Sequence, residues 1–180
     1  MRRRIRRPFL VVAAILAVSL SCLVFSSARA LDYASQFLDT YYRVQDDVLF
    51  PTEIGRHYID LHYRYSNEIW QLSLAHEEIM SQAGRLLLEF EPPLHELVEG
   101  RGHQVLVTQD MVNRVEGFLD LLVQFGSPEL QATIQSERDR APLVDLVGLS
   151  FDQAQLQRLG PPQPDPPGTP PTRIPIPFSE

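Results

Sequence analysis

There is no lysine anywhere in this chain of 180 residues; all 16 basic residues are arginine. Six of those arginines (Arg2, Arg3, Arg4, Arg6, Arg7 and Arg29) fall before Leu31, where no acidic residue occurs. From Leu31 on, ten arginines meet 23 acidic residues, a net charge of −13. Such a surface repels phosphate backbones, so nucleic acid is not an expected partner. It favours solubility or a cationic partner. Cysteine is almost missing too. Cys22 is the only one, and it sits in the N-terminal apolar run, so neither a disulfide nor a cysteine zinc site is expected after it. A cysteine nucleophile is likewise not expected there. No G-x-S-x-G elbow and no phosphate-binding glycine loop occurs in the sequence.

What is present begins with a leader pattern. Residues 1–8 are strongly basic, and the run from Phe9 to Phe25 is uncharged and mostly apolar. Ala28 and Ala30 then supply small residues ahead of Leu31, the form of a signal-peptidase site. The arginines are held on the cytoplasmic side while the apolar run enters the bilayer. The chain is therefore expected to be exported. It is then secreted after cleavage or tethered by an uncleaved anchor, since the Phe9–Phe25 run is at the short limit for a span. Arg6-Arg7-Pro8-Phe9-Leu10 also has the look of a twin-arginine signal, but the long apolar core favours the general secretory route. A lipoprotein reading of Cys22 is poorly matched, because Ser19 stands where a Leu-like residue is wanted.

Three segments follow: residues 1–30 as leader or anchor, 31–160 as the folded part, and 161–180 as a tail. Nine of the positions from Pro161 to Glu180 are proline. That tail favours polyproline II, is expected to be disordered, and cannot contribute to a core. The middle part is long enough to bury roughly two-thirds of its unfolded surface in one domain.

Helical periodicity dominates that part. Tyr33, Phe37, Tyr41, Val44 and Val48 form one stripe, expected to end at Pro51. Thr52 is the next N-cap, followed by Ile54, Tyr58, Leu61 and Tyr65. Ser66-Asn67 predicts a break and a new helix carrying Ile69, Leu72, His76, Ile79, Ala83, Leu86 and Phe90. Pro92-Pro93 predicts its end, with a short helix after it to Glu99. Val105-Leu106-Val107 reads as a buried lead-in with no partner strand. Thr108 and Ser127-Pro128-Glu129 each predict a helix start, the second helix running to about Arg140. Ser150 and Gln153 form a capping box for a last helix ending at Gly160. The expected fold is all-α: an antiparallel bundle of five or six helices, preceded by a signal or anchor helix and followed by the proline-rich tail.

Chemistry is sparse. His57 and His62 are five apart and do not share a helical face. His76 lacks the second histidine of an H-E-x-x-H site, and no Glu-x-x-His pair suggests a di-iron bundle. His76 is expected as a buried, hydrogen-bonded core residue. Glu89 and Glu91 are two carboxylates in an acid-rich chain and predict no catalysis by themselves. No cofactor, no metal ligand and no catalytic residue is expected. All six tyrosines lie between positions 33 and 65. Tyr58 and Tyr65 belong to the apolar stripe, whereas Tyr63 is expected at the surface. His62, Tyr63 and Arg64 are the candidate contacts for a ligand or protein partner.

The stretch Leu49 to Glu78 contains Gly55-Arg56, Tyr58, Leu61, Tyr63, Tyr65 and Ser66, and Phe37, Asp39 and Tyr41 precede it. These residues resemble the helical segment that follows the CFI-box in a bacterial C-terminal domain family. The cysteine-containing box itself is absent, and Asn67 stands where the family often has proline. The resemblance implies an accessory helical module of exported proteins and assigns no activity. The expected role is non-enzymatic binding of a protein at the cell surface. The alternative is a binding protein for a small apolar or aromatic ligand held between helices.

Overall fold

A computed structural model describes residues 37–162. The leader, including Ala28, Ala30 and Leu31, and the tail beyond residue 162 lie outside the described residues. Within them the chain is all-helical, with six helices and no strand. Helix α1 covers residues 37–43 and runs into a π-helical turn, Val44–Leu49. The others are α2 (Glu53–Ala75), α3 (Glu77–Val98), α4 (Gln109–Phe125), α5 (Pro128–Arg140) and α6 (Phe151–Leu159). No helix among these residues is long and apolar enough to cross a membrane.

The π turn alters the pattern that α1 buries. Its wider ring, closed by Phe50 N–H donating to the Gln45 carbonyl at 2.8 Å, turns two adjacent residues inward together. Val44 with Gln45, and Val48 with Leu49, are all buried. A plain 3.6-residue period would bury one of each pair. Thr52 then caps α2 as expected, its hydroxyl accepting from Gly55 N–H at 2.9 Å. A Cβ at Gly55 would stand 2.0 Å from the Leu49 carbonyl oxygen, so only glycine lets α2 start this close to α1. Arg56 closes the corner by donating to the Phe50 carbonyl at 2.9 Å.

Two expected breaks are absent. Ser66 and Asn67 lie inside α2, which continues to Ala75. They are only weak helix formers, and burial of Tyr65 and Ile69 on either side outweighs their propensity. Pro92 and Pro93 lie inside α3. They remove two N–H donors from the helix ladder. Packing on both sides holds the turn together: Phe90, Pro93, Leu94 and Leu97 are buried. Arg43 from α1 donates to the Val98 carbonyl at 2.8 Å and pairs with Glu99 at 2.5 Å.

The real break falls at His76, which is at once the end of α2 and the start of α3. Its backbone is extended (φ −132°, ψ 108°). Its carbonyl still accepts from Ile79 and Met80 N–H, and its ring stacks on Phe125 with centroids 3.9 Å apart. His76 is therefore a half-buried corner residue rather than a core histidine within a helix.

The later starts match expectation. Thr108 accepts from Met111 N–H, Ser127 from Leu130 N–H, and Ser150 with Gln153 forms the reciprocal capping box. Val105–Val107 forms no strand, as expected, but it does pair with residues 148–151, and Leu106 is exposed rather than buried. Val107 N–H donates to Leu149 O at 2.9 Å, Phe151 N–H to Val105 O at 3.0 Å, and Leu106 forms an isolated bridge with Ser150. Both stretches are too short to count as strands. They tie α6 back beneath the loop before α4. One apolar core, including Tyr58, Ile69, Leu86, Phe118 and Leu122, runs through the helices.

Candidate functional site

Two faces of α2 carry most of the chemistry. The first meets α5 along an antiparallel seam. Glu68 accepts from the N–H and hydroxyl of Ser127, at 2.7 and 3.1 Å. The Tyr65 hydroxyl lies 2.7 Å from Thr133 Oγ1. At the other end, His57 Nε2 lies 3.1 Å from Glu137 Oε1. Arg140 pairs with the same carboxylate and reaches the Tyr58 hydroxyl at 3.5 Å. Its guanidinium also sits over the Tyr58 ring, 5.9 Å from the centroid.

Tyr58 itself is wholly buried. Burial first, and then the Glu137 carboxylate, raises its hydroxyl far above the usual phenol value, so it stays protonated. Arg158 on α6 lies near it. This guanidinium is fully buried and donates to the Pro142 carbonyl at 2.6 Å. Desolvation pushes it down to about 10. At neutral pH it is still a cation. The seam is thus a charged lock with one carboxylate between an imidazole and a guanidinium. Its groups face one another across elements about eighty residues apart in sequence.

The second face meets α1. Tyr41 and Tyr42 have centroids 5.6 Å apart, Tyr41 and His62 6.4 Å, and His62 and Tyr63 6.0 Å. Burial, then Tyr63, Tyr42 and Asp46, raise the Tyr41 hydroxyl. Burial and Tyr42 raise that of Tyr63. At neutral pH these phenols therefore stay protonated, amphipathic donors. The three candidate contacts separate here. His62 is buried inside the cluster, 6% exposed, and takes no part in the outer surface. Tyr63 is 42% exposed. Arg64 beside it is exposed and has no salt bridge among the described residues. The arginines 43, 101, 114, 138 and 140 are each paired with a carboxylate.

Among the described residues no group of three or more His, Cys, Asp or Glu is placed to hold a metal ion. Glu89 is taken by Arg114 at 3.1 Å, while Glu91 is buried on another side of α3. The remaining histidines are engaged separately: His95 Nδ1 lies 3.4 Å from Thr40 Oγ1, and His103 lies 3.8 Å from Asp152. No family model, no curated protein and no solved structure matches this chain. Sequence reasoning singled out His62, Tyr63 and Arg64, of which His62 is buried. It missed the lock of His57 with Glu137 and Arg140: the Glu137–Arg140 pair has a local i,i+3 spacing, but His57 is 80 residues from Glu137 in sequence.

Proposed function

We propose that this chain is an exported or membrane-tethered helical module that binds a protein at the cell surface. Tyr63 and Arg64 are its central contacts, with Tyr42 alongside. One observation carries the reading: an exposed phenol stands next to an arginine without a salt bridge among the described residues, on a domain whose other arginines are mostly committed to carboxylates. Tyrosine and arginine are the residue types that anchor protein interfaces, since each offers a large flat area and strong directed donors. The basic, apolar and small-residue order of residues 1–30 supports export. The CFI-box resemblance supports an accessory helical module. Its Gly55-Arg56 pair serves the tight corner between α1 and α2.

The test is photo-cross-linking in the producing cell. A benzophenone amino acid replaces Tyr63 in the full chain, with a second copy of the experiment at Ser81, exposed on α3, as control. A discrete adduct at position 63, missing at 81 and weakened by Arg64→Glu, is expected. Equal labelling at both positions, or none at 63, removes the interface. Native mass spectrometry of the same protein reports the rest. A mass beginning at Leu31 means a secreted module, and the full-length mass in membranes means a tethered one. A small bound mass that leaves on denaturation replaces this reading with ligand binding between helices.

A further inference from the structure

Seven large apolar side chains are exposed among the described residues, and four of them, Leu106, Val144, Val147 and Leu156, lie on neighbouring backbone segments. Leu106 sits in the stretch that hydrogen-bonds residues 148–151, with Val107 N–H to Leu149 O at 2.9 Å and Gly148 N–H to Val107 O at 2.9 Å. Val144 and Val147 belong to the 3₁₀ turn and its end, which lead into this pairing. Leu156 is on α6, whose next residue, Gln157, reaches back to the Asp145 carbonyl at 3.5 Å. Leu106, Val144 and Leu156 are each more than half exposed. Exposed apolar groups mark an interaction site when they gather into one patch rather than standing singly.

The chain itself leaves from this corner. Gly160 N–H donates to the Leu156 carbonyl, so the segment beyond α6 starts one turn from the patch. That segment carries Arg173-Ile174-Pro175-Ile176-Pro177-Phe178. In that segment the apolar residues Ile174, Ile176 and Phe178 alternate with Pro175 and Pro177, and the prolines disfavour a helix. Arg173 is the only basic residue after Arg158, and Asp145 stands exposed on the patch turn. The residues between Gly160 and Ile174 span about 40 Å at the polyproline II rise, against a radius of gyration of about 14 Å for a domain of this size. Reach is not limiting.

We propose that the patch formed by Leu106, Val144, Val147 and Leu156 is the docking surface for the Arg173–Phe178 segment of the same chain. The apolar side chains of the segment cover the patch, and Arg173 lies toward Asp145.

The experiment places p-benzoylphenylalanine at Phe178 in the full chain and irradiates it at two well-separated protein concentrations. Cross-linked peptides are mapped by mass spectrometry. The expected result is an adduct within one chain to peptides containing Val144, Val147 or Leu156, in a yield independent of concentration. The double variant V144D/L156D, changed only at exposed positions and checked for folding by circular dichroism, loses that adduct at least several-fold. Adducts between chains overturn the proposal in favour of a second copy as the occupant. Adducts spread over the domain, no adduct, or an adduct unchanged in the double variant also overturn it. None of these outcomes depends on Tyr63 or Arg64, so the proposed partner interface stands or falls separately.

Discussion

Helix α2 is closed by charge on one side and by rings on the other. Along the α5 seam the polar groups that reach across are met: Glu68 by Ser127, Tyr65 by Thr133, Glu137 by His57 and Arg140. Along α1 the contacts are tilted aromatic rings at 5.6 to 6.4 Å. That row ends at an exposed tyrosine and an arginine with no carboxylate partner among the described residues. The difference separates two uses of one helix. A seam whose donors and acceptors are used internally holds the fold. A face that ends in unspent donors is available to something else.

The largest expected effect lies on the charged side. Glu137→Ala removes the carboxylate shared by His57 and Arg140 and leaves both without it at the seam. Breaking a fully buried pair costs about 3–5 kcal/mol. Here the Arg140 and His57 side chains are 43% and 41% exposed, so water screens them. We expect a loss of about 2 kcal/mol in urea unfolding, after that discount. A loss below about 0.5 kcal/mol, the range of ordinary surface substitutions, would mean that the seam is held by its apolar contacts alone.

The next effect is on alkaline stability. Tyr58 on the charged side and Tyr41 on the aromatic side are both raised above their usual 10.0. In the unfolded chain these phenols ionise as pH passes about 10, while in the fold they keep their protons. The folded state then binds more protons, so stability is full below about pH 10 and falls as pH rises beyond it. The limiting slope is about 1.4 kcal/mol per pH unit for each phenol. Tyr58→Phe is expected to remove one phenol's share of the downward slope, about 1.4 kcal/mol per pH unit, read from urea midpoints above about pH 10, where Tyr63 adds to the fall and Arg158, pushed down to about 10, opposes it. An unchanged slope would show that Tyr58 ionises equally in both states.

The sequence made local features legible and left distant ones hidden. Thr52, Thr108, Ser127 and the Ser150–Gln153 box are readable because a cap is satisfied within three residues of itself. Tyr58 and Tyr65 follow from the stripe and are buried, and Tyr63 falls between them and is exposed. His76 is different. Neither proline nor glycine marks it, and its stacking partner Phe125 is on another helix. The run through Pro92-Pro93 depends on α1 packing against the end of α3, which periodicity cannot report. The π turn shifts burial by one residue, so Gln45 is buried though no apolar pattern includes it. His62 shows the same limit at the site. It adjoins Tyr63 in sequence, yet it faces Tyr41 inside.

The smallest effect on stability is expected where the effect on binding is largest. Tyr63→Ala and Arg64→Ala remove side chains for which the fold shows no ion pair among the described residues. Each should shift stability by no more than about 0.5 kcal/mol, as exposed substitutions do. Tyr63 gives up some packing on His62, so its variant should be the less stable of the two. Against this near-neutral background, loss of the position-63 adduct in Arg64→Ala would be a binding effect and not a folding one. The opposite pattern, in which either variant costs as much as Glu137→Ala, would make the aromatic face a second structural seam. The contrast between the two sides of α2 would then vanish, and with it the reason to look for a partner there.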